Sequence, residues 1–123
     1  MQKTKFDIPT NKMGADTNNI SIEVTYQKGG INYFSYNTER RGVYVLVRPE
    51  KIADRGGYVS RSFDLFGNMT FKICVKELAR KSQKAIDTIA AAVEPHVQEL
   101  AQHIELGDKE GFRRLLNKIT LSY

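Results

Sequence analysis

Along Ile20-Ser21-Ile22-Glu23-Val24-Thr25-Tyr26 apolar and polar residues alternate, the period of two that a strand with one buried face requires. Lys28-Gly29-Gly30 then offers the positive backbone angles of a tight turn, and the aromatic run Ile31 to Tyr36 returns as a second strand. A first hairpin is expected there. A polar turn from Asn37 to Gly42 leads into Val43-Tyr44-Val45-Leu46-Val47-Arg48, a β-branched strand that Pro49 closes, with its valines turned inward. After the charged loop Glu50 to Gly57, Tyr58 to Phe66 and Met69 to Val75 flank Gly67-Asn68 and predict a second hairpin. In its register Met69, Phe71, Ile73 and Val75 share one face, and Arg61, Phe63, Thr70, Lys72 and Lys76 share the other.

Beyond Val75 the period lengthens to that of a helix. Ile86, Ile89, Ala90, Val93, Val97, Leu100, Ala101 and Ile104 form one stripe. At about 100° per residue the stretch from Ile86 to Ile104 makes roughly five full turns, so the stripe keeps its phase across Pro95. Proline lacks an amide hydrogen and disfavours helical angles at Glu94, which predicts one long helix with a kink rather than two unrelated ones. Gly107 suits the position past its end, and Asp108 can cap a last helix carrying Phe112, Leu115, Leu116 and Ile119. Residues 1 to 18 are polar, with Pro9 and Gly14, and predict a flexible arm with a short strand near Phe6 to Ile8.

The expected architecture is therefore α+β: a four- to five-stranded antiparallel sheet over 19–76, followed over 77–120 by a long kinked helix and a short terminal one. A length of 123 residues suits one domain, spanning 19–123. A small sheet with so long an amphipathic helix has apolar surface left over, so a homodimer is expected. No apolar run approaches the roughly 18 residues that span a bilayer, and the first residues lack the apolar stretch of a signal peptide, which predicts a cytoplasmic protein without a membrane partner.

Charge changes this picture more than composition does. The net charge is +5, but it is segregated. Residues 1–39 are neutral; residues 40–84 hold eleven bases and four acids; residues 85–111 hold one base and six acids. A basic middle attracts polyanions, by steering and by release of counterions from a phosphate backbone. Lys76, Arg80 and Lys84 recur every four residues and predict a charged ridge on the first turns of the long helix, with Lys81 beside it. Arg48, Arg61 and Lys72 alternate with Tyr44 and Phe63 on the strands, and Arg40 and Arg41 lie in the turn before them. Rings set between cations form a platform for unstacked bases. The same rings equally fit packing beneath the helices, with the cations reaching past them to water.

The remaining chemistry is sparse. His96 and His103 stand seven residues apart, separated by about 10 Å of helical rise, too far to share one metal. The lone Cys74 excludes an internal disulfide and reads as a small half-buried core residue. No serine elbow or phosphate-binding glycine loop is present, and no cofactor is implied. Arg55-Gly56-Gly57-Tyr58 is a single copy of an arginine-glycine pattern and reads as a loop.

The runs Asn32-Tyr33-Phe34, Arg40-Arg41-Gly42-Val43-Tyr44, Val47-Arg48-Pro49, Val75-Lys76-Glu77 and Arg80-Lys81-Ser82-Gln83-Lys84-Ala85 resemble small uncharacterised proteins of gut anaerobic bacteria and their mobile elements. That resemblance covers about residues 30 to 86 and implies a setting rich in DNA-handling accessory proteins, with no assigned activity and no site residues. In element order alone, a curved antiparallel sheet followed by a helix is similar to the Whirly-type single-stranded-DNA-binding regulators. The leading expectation is a non-enzymatic accessory protein that binds single-stranded DNA or RNA. Arg40, Arg41, Arg48, Arg61, Lys72, Lys76, Arg80 and Lys84 would meet phosphates, and Tyr44 or Phe63 would stack on bases. An assembly module pairing through its helical stripe or an exposed strand is the alternative, and a small enzyme trails both.

Overall fold

The alternating run around Ile22 becomes β2 (Thr17–Gln27) in a computed structural model that describes residues 2–9, 17–32, 37–51 and 71–123. Its inward side chains Ile20, Ile22 and Val24 are buried, as alternation with one core face demands. β2 is flanked by β1 (Lys5–Pro9) and β5 (Gly42–Lys51), and β5 by β6 (Phe71–Glu77), giving an antiparallel sheet in the order β1-β2-β5-β6. The chain then runs through α1 (Gln83–Val93), a single 3-10 turn (Glu94–His96), α2 (Val97–Glu105) and α3 (Lys109–Thr120). The protein is thus α+β. None of the described helices is long and apolar enough to cross a membrane.

The short strand expected near Phe6 is β1, and the burial of Phe6 and Ile8 builds that part of the arm into the sheet. The first hairpin is different from expectation. Two short strands, β3 (Gly30–Asn32) and β4 (Asn37–Glu39), pair with each other, and β2 pairs with β5 from Gln27↔Gly42 to Thr17↔Lys51. Lys28-Gly29 is therefore an interruption in a long ribbon, facing Arg40-Arg41 on the other strand, rather than a hairpin turn. Gly29 sits at φ 68°, and a Cβ there would lie 2.5 Å from the Glu39 carbonyl oxygen, so only glycine fits. The second expected hairpin, over 58–75, falls outside the described residues except at β6, which pairs with β5.

The β5–β6 register shifts by one residue between Val43 and Tyr44: Val43 faces Lys76, whereas Tyr44 faces Cys74. Such a bulge re-aims side chains next to it. Phe71, Ile73 and Val75 pack toward the core as predicted, but Lys76 is carried to the helix side, where it lines a pocket with Ala85, Thr88 and Ile89 of α1.

The helical stripe holds its phase. Ile86, Ile89, Ala90, Val93, Leu100, Ala101 and Ile104 are all buried in the core, and Pro95 is absorbed by the 3-10 turn between α1 and α2. Ser82 caps α1, its hydroxyl accepting from the Ala85 amide at 3.2 Å. Arg80 and Lys81 consequently precede the helix, and the predicted helical ridge of Lys76, Arg80 and Lys84 is not one: Lys76 is in β6, Arg80 in the link, and only Lys84 in α1.

After α2, Gly107 at φ 67° reverses the chain and Asp108 caps α3, accepting from the Gly111 amide at 2.8 Å while His103 Nδ1 stands 3.2 Å from its other oxygen. The Gly111 bond, then the His103 contact, hold the Asp108 carboxyl below its ordinary range. A depressed folded-state pKa gives stability that is present above the unfolded value and lost as pH falls through the folded one. Asp108→Asn should therefore flatten the acid limb of a thermal-melt profile below about pH 4, and an unchanged limb contradicts this role. Gly111→Ala should also destabilise α3. Alanine gains about 1 kcal/mol of helix propensity over glycine, but its Cβ would collide with the Asp108 carboxylate and lie 2.5 Å from His103 Nδ1. A raised melting temperature would show that the cap yields instead.

Candidate functional site

The sequence-predicted residues divide into two groups. The first lies on the sheet face away from the helices. Tyr44 is there, but only 5% exposed; its hydroxyl donates to the Arg40 carbonyl oxygen, and Lys72 Nζ lies 5.9 Å over its ring. Burial, followed by the nearby Cys74 and Glu39 charges, pushes the phenol upward, so it stays protonated. Tyr44 is thus sealed and cannot serve as the stacking ring expected of it. Cys74 beside it is held above the ordinary thiol value, chiefly by burial, which suppresses the nucleophilic thiolate.

The cations of this face are matched by carboxylates. Lys72 pairs with Glu39 at 2.7 Å, Arg48 with Glu23 at 3.8 Å, and Arg40, in the link between β4 and β5, with Glu77 at 3.9 Å. A phosphate approaching here meets anions as well as cations, so the expected basic and aromatic platform is not formed by Arg40, Tyr44, Arg48 and Lys72. Arg61 and Phe63 lie outside the described residues.

The second group gathers where the β2–β5 ribbon is interrupted and the β6–α1 link passes beneath it. The Arg41 carbonyl accepts from the Leu78 amide at 2.9 Å, and the Arg41 guanidinium donates back to the Lys28 carbonyl at 3.0 Å and the Ala79 carbonyl at 3.5 Å. Two carbonyls thereby orient an exposed guanidinium and leave further N–H donors for a ligand. Around it an open cleft of about 420 Å³ is lined by Tyr26, Lys28, Ala79, Arg80 and Lys81 together with Arg41. Among the described residues four cations and no carboxylate line it. The Tyr26 hydroxyl donates to the Leu78 carbonyl at 3.1 Å, which fixes its ring at the cleft.

On the other side of the same link, Lys76 and Lys84 line a smaller pocket with Ser82 and Thr88. Lys28, Arg41, Lys76 and Lys84 therefore flank one short segment, residues 78–82, which itself carries Arg80 and Lys81, as a basic track. The sequence pattern names Arg41, Lys76, Arg80 and Lys84 as phosphate contacts, sets Lys81 only beside them, and does not mark Lys28. Its signal was the Lys-Gly-Gly interruption, which sets Lys28 opposite Arg41 across the ribbon.

The two histidines serve separate places: His103 supports the α3 cap, and His96 lies in the 3-10 turn, 3.8 Å from Glu99. Among the described residues no group of three or more His, Cys, Asp or Glu side chains gathers to hold a metal ion. No protein-family model, curated protein or solved structure matches the chain.

Proposed function

We propose that the protein binds single-stranded nucleic acid along the basic track around the β6–α1 link. The observation that carries this reading is the cleft of Lys28, Arg41, Arg80 and Lys81, which no carboxylate lines among the described residues. Unopposed cations in a concavity focus potential toward an anion, whereas the paired cations of the sheet face largely cancel. Phosphates spaced along a strand fit a row of cations that continues past the link to Lys84 and Lys76, and counterion release supplies the affinity. A cleft of this size accepts a nucleotide unit and not a duplex, and Tyr26 takes the place beside the cations first expected of Tyr44.

The test compares two variants on a fluorescent oligothymidylate at low salt. Arg41→Gln/Arg80→Gln/Lys81→Gln should weaken binding by about tenfold or more, since each lost phosphate contact removes released counterions. Arg48→Gln/Lys72→Gln should change it by less than about twofold, because those cations are already neutralised by partners. The reverse order would move the interface to the sheet face and overturn this assignment. Self-association as a homodimer is a second reading, favoured by Leu106 and Leu121, which stand 77% and 84% exposed. Sedimentation checks it: a dimer dissociated by Leu121→Ser supports that reading, and a monomer at all concentrations removes it.

A further inference from the structure

A separate groove of about 450 Å³ runs between the α1–α2 junction and α3. Its apolar floor is Ala92, Leu115 and Ile119, and its rim carries His96, Glu99, Lys118 and Tyr123. Volumes of this order hold small molecules, and sites of this kind combine apolar walls with a few convergent polar groups. Two features of the rim exceed what packing alone explains. His96 Nδ1 is buried without a hydrogen-bond partner and lies 3.8 Å from Glu99 Oε1, so the 40% exposure of that side chain belongs to its other atoms. Lys118 has no ion-pair partner within 4.0 Å among the described residues, although Glu99 lines the same groove.

We infer that this groove binds a small zwitterion with an apolar side chain, the chemistry of a free apolar amino acid. The Lys118 ammonium and the Tyr123 hydroxyl are donors for its carboxylate. The Glu99 carboxylate, with the imidazole of His96 beside it, takes its ammonium. The aliphatic body displaces water from Ala92, Leu115 and Ile119. One cation and one anion on a shared apolar floor match a ligand carrying both charges better than a ligand carrying either alone, because a singly charged molecule leaves one rim charge desolvated without a partner. This inference does not rest on nucleic-acid binding, although Tyr123 also lines the pocket of Lys76 and Lys84 and so touches both places.

The probe is L-leucine, titrated calorimetrically against the full chain. It is compared with 4-methylpentanoate, which lacks the amine, and 3-methylbutylamine, which lacks the carboxylate. Leucine should bind, and each analogue should bind about tenfold more weakly or less, the loss expected for one charge-assisted contact. Lys118→Gln should weaken leucine and leave the amine unaffected; Glu99→Gln should weaken leucine and leave 4-methylpentanoate unaffected. Both positions are exposed, so both variants should melt with the wild type. Absence of leucine binding at millimolar concentration, analogues that bind equally well, or affinity indifferent to both substitutions would each overturn the proposal.

Discussion

Phe112→Ala should remove about 3–5 kcal/mol of folding stability, the usual cost of emptying a fully buried aromatic site. Phe112 is completely buried in α3 and meets the Phe71 ring of β6 edge to face, with centroids 6.0 Å apart and planes at 78°. That geometry is the favourable one for two aromatic quadrupoles and adds to the area buried. The contact joins the last helix to β6 at an edge of the four-stranded sheet. Lys109 and Arg113 each place a charge 5.7 Å from the Phe71 centroid, and retreat of that ring would loosen them too. Domains of this size hold only about 5–15 kcal/mol in total, so the variant should lose roughly 10–20 °C of melting temperature. Urea unfolding with an unchanged slope is the measurement. A loss below about 1 kcal/mol would mean that α3 is not anchored by this ring.

Gly42→Ala should be nearly as damaging, for a backbone reason. Gly42 opens β5 directly opposite Glu77, beside the register shift between Val43 and Tyr44. An added Cβ would collide with the Lys76 carbonyl oxygen and lie 2.8 Å from Glu77 Cα. Both obstacles are main chain and cannot rotate away, unlike the side chains that crowd Gly111. Relief requires β6 to separate from β5 at this end, at a cost of about 2–3 kcal/mol. The Leu78 amide, bonded to the Arg41 carbonyl at 2.9 Å, would lose its protection in hydrogen exchange. Because that bond positions Arg80 and Lys81 under Arg41, oligonucleotide affinity should fall with stability. Wild-type protection at Leu78 in a Gly42→Ala protein would refute this account of the link.

The elements themselves were legible because their periods are long and clean. Ile20 to Tyr26 alternate without error, Val43 to Val47 form an unbroken apolar run rich in valine, and the stripe from Ile86 to Ile104 passes Pro95 in phase, so strand, strand and bent helix followed from residue order alone. What failed depended on partners remote in the chain. Positive-φ glycines at 29 and 30 are compatible with a tight turn and with an interrupted ribbon, and only pairing of Gly30 with Glu39 decides between them. The bulge opposite Val43 cannot be read from alternation in β6, and it moves Lys76 from one face of the sheet to the other. The start of α1 was recoverable: Ser82 followed by Gln83-Lys84-Ala85 is a capping pattern, and recognising it removes Arg80 and Lys81 from the helix.

The candidate site was half legible for the same reason. A cluster of bases between residues 40 and 84 is a statement about sequence, while their usefulness to a polyanion depends on which of them have acidic neighbours in space. Arg40, Arg48 and Lys72 have such neighbours in Glu77, Glu23 and Glu39, contributed by strands remote in the chain, as for Lys72 and Glu39, which stand 33 positions apart. Burial of Tyr44 likewise follows from packing on a face that alternation marks as outward.

The most direct measurement is the salt dependence of oligothymidylate binding. For six phosphate contacts to a single strand the logarithm of the association constant should fall against the logarithm of salt with a slope of about −4, and for the Arg41→Gln/Arg80→Gln/Lys81→Gln protein with a slope of about −2. No binding at low salt, or one slope shared by both proteins, would contradict the basic track.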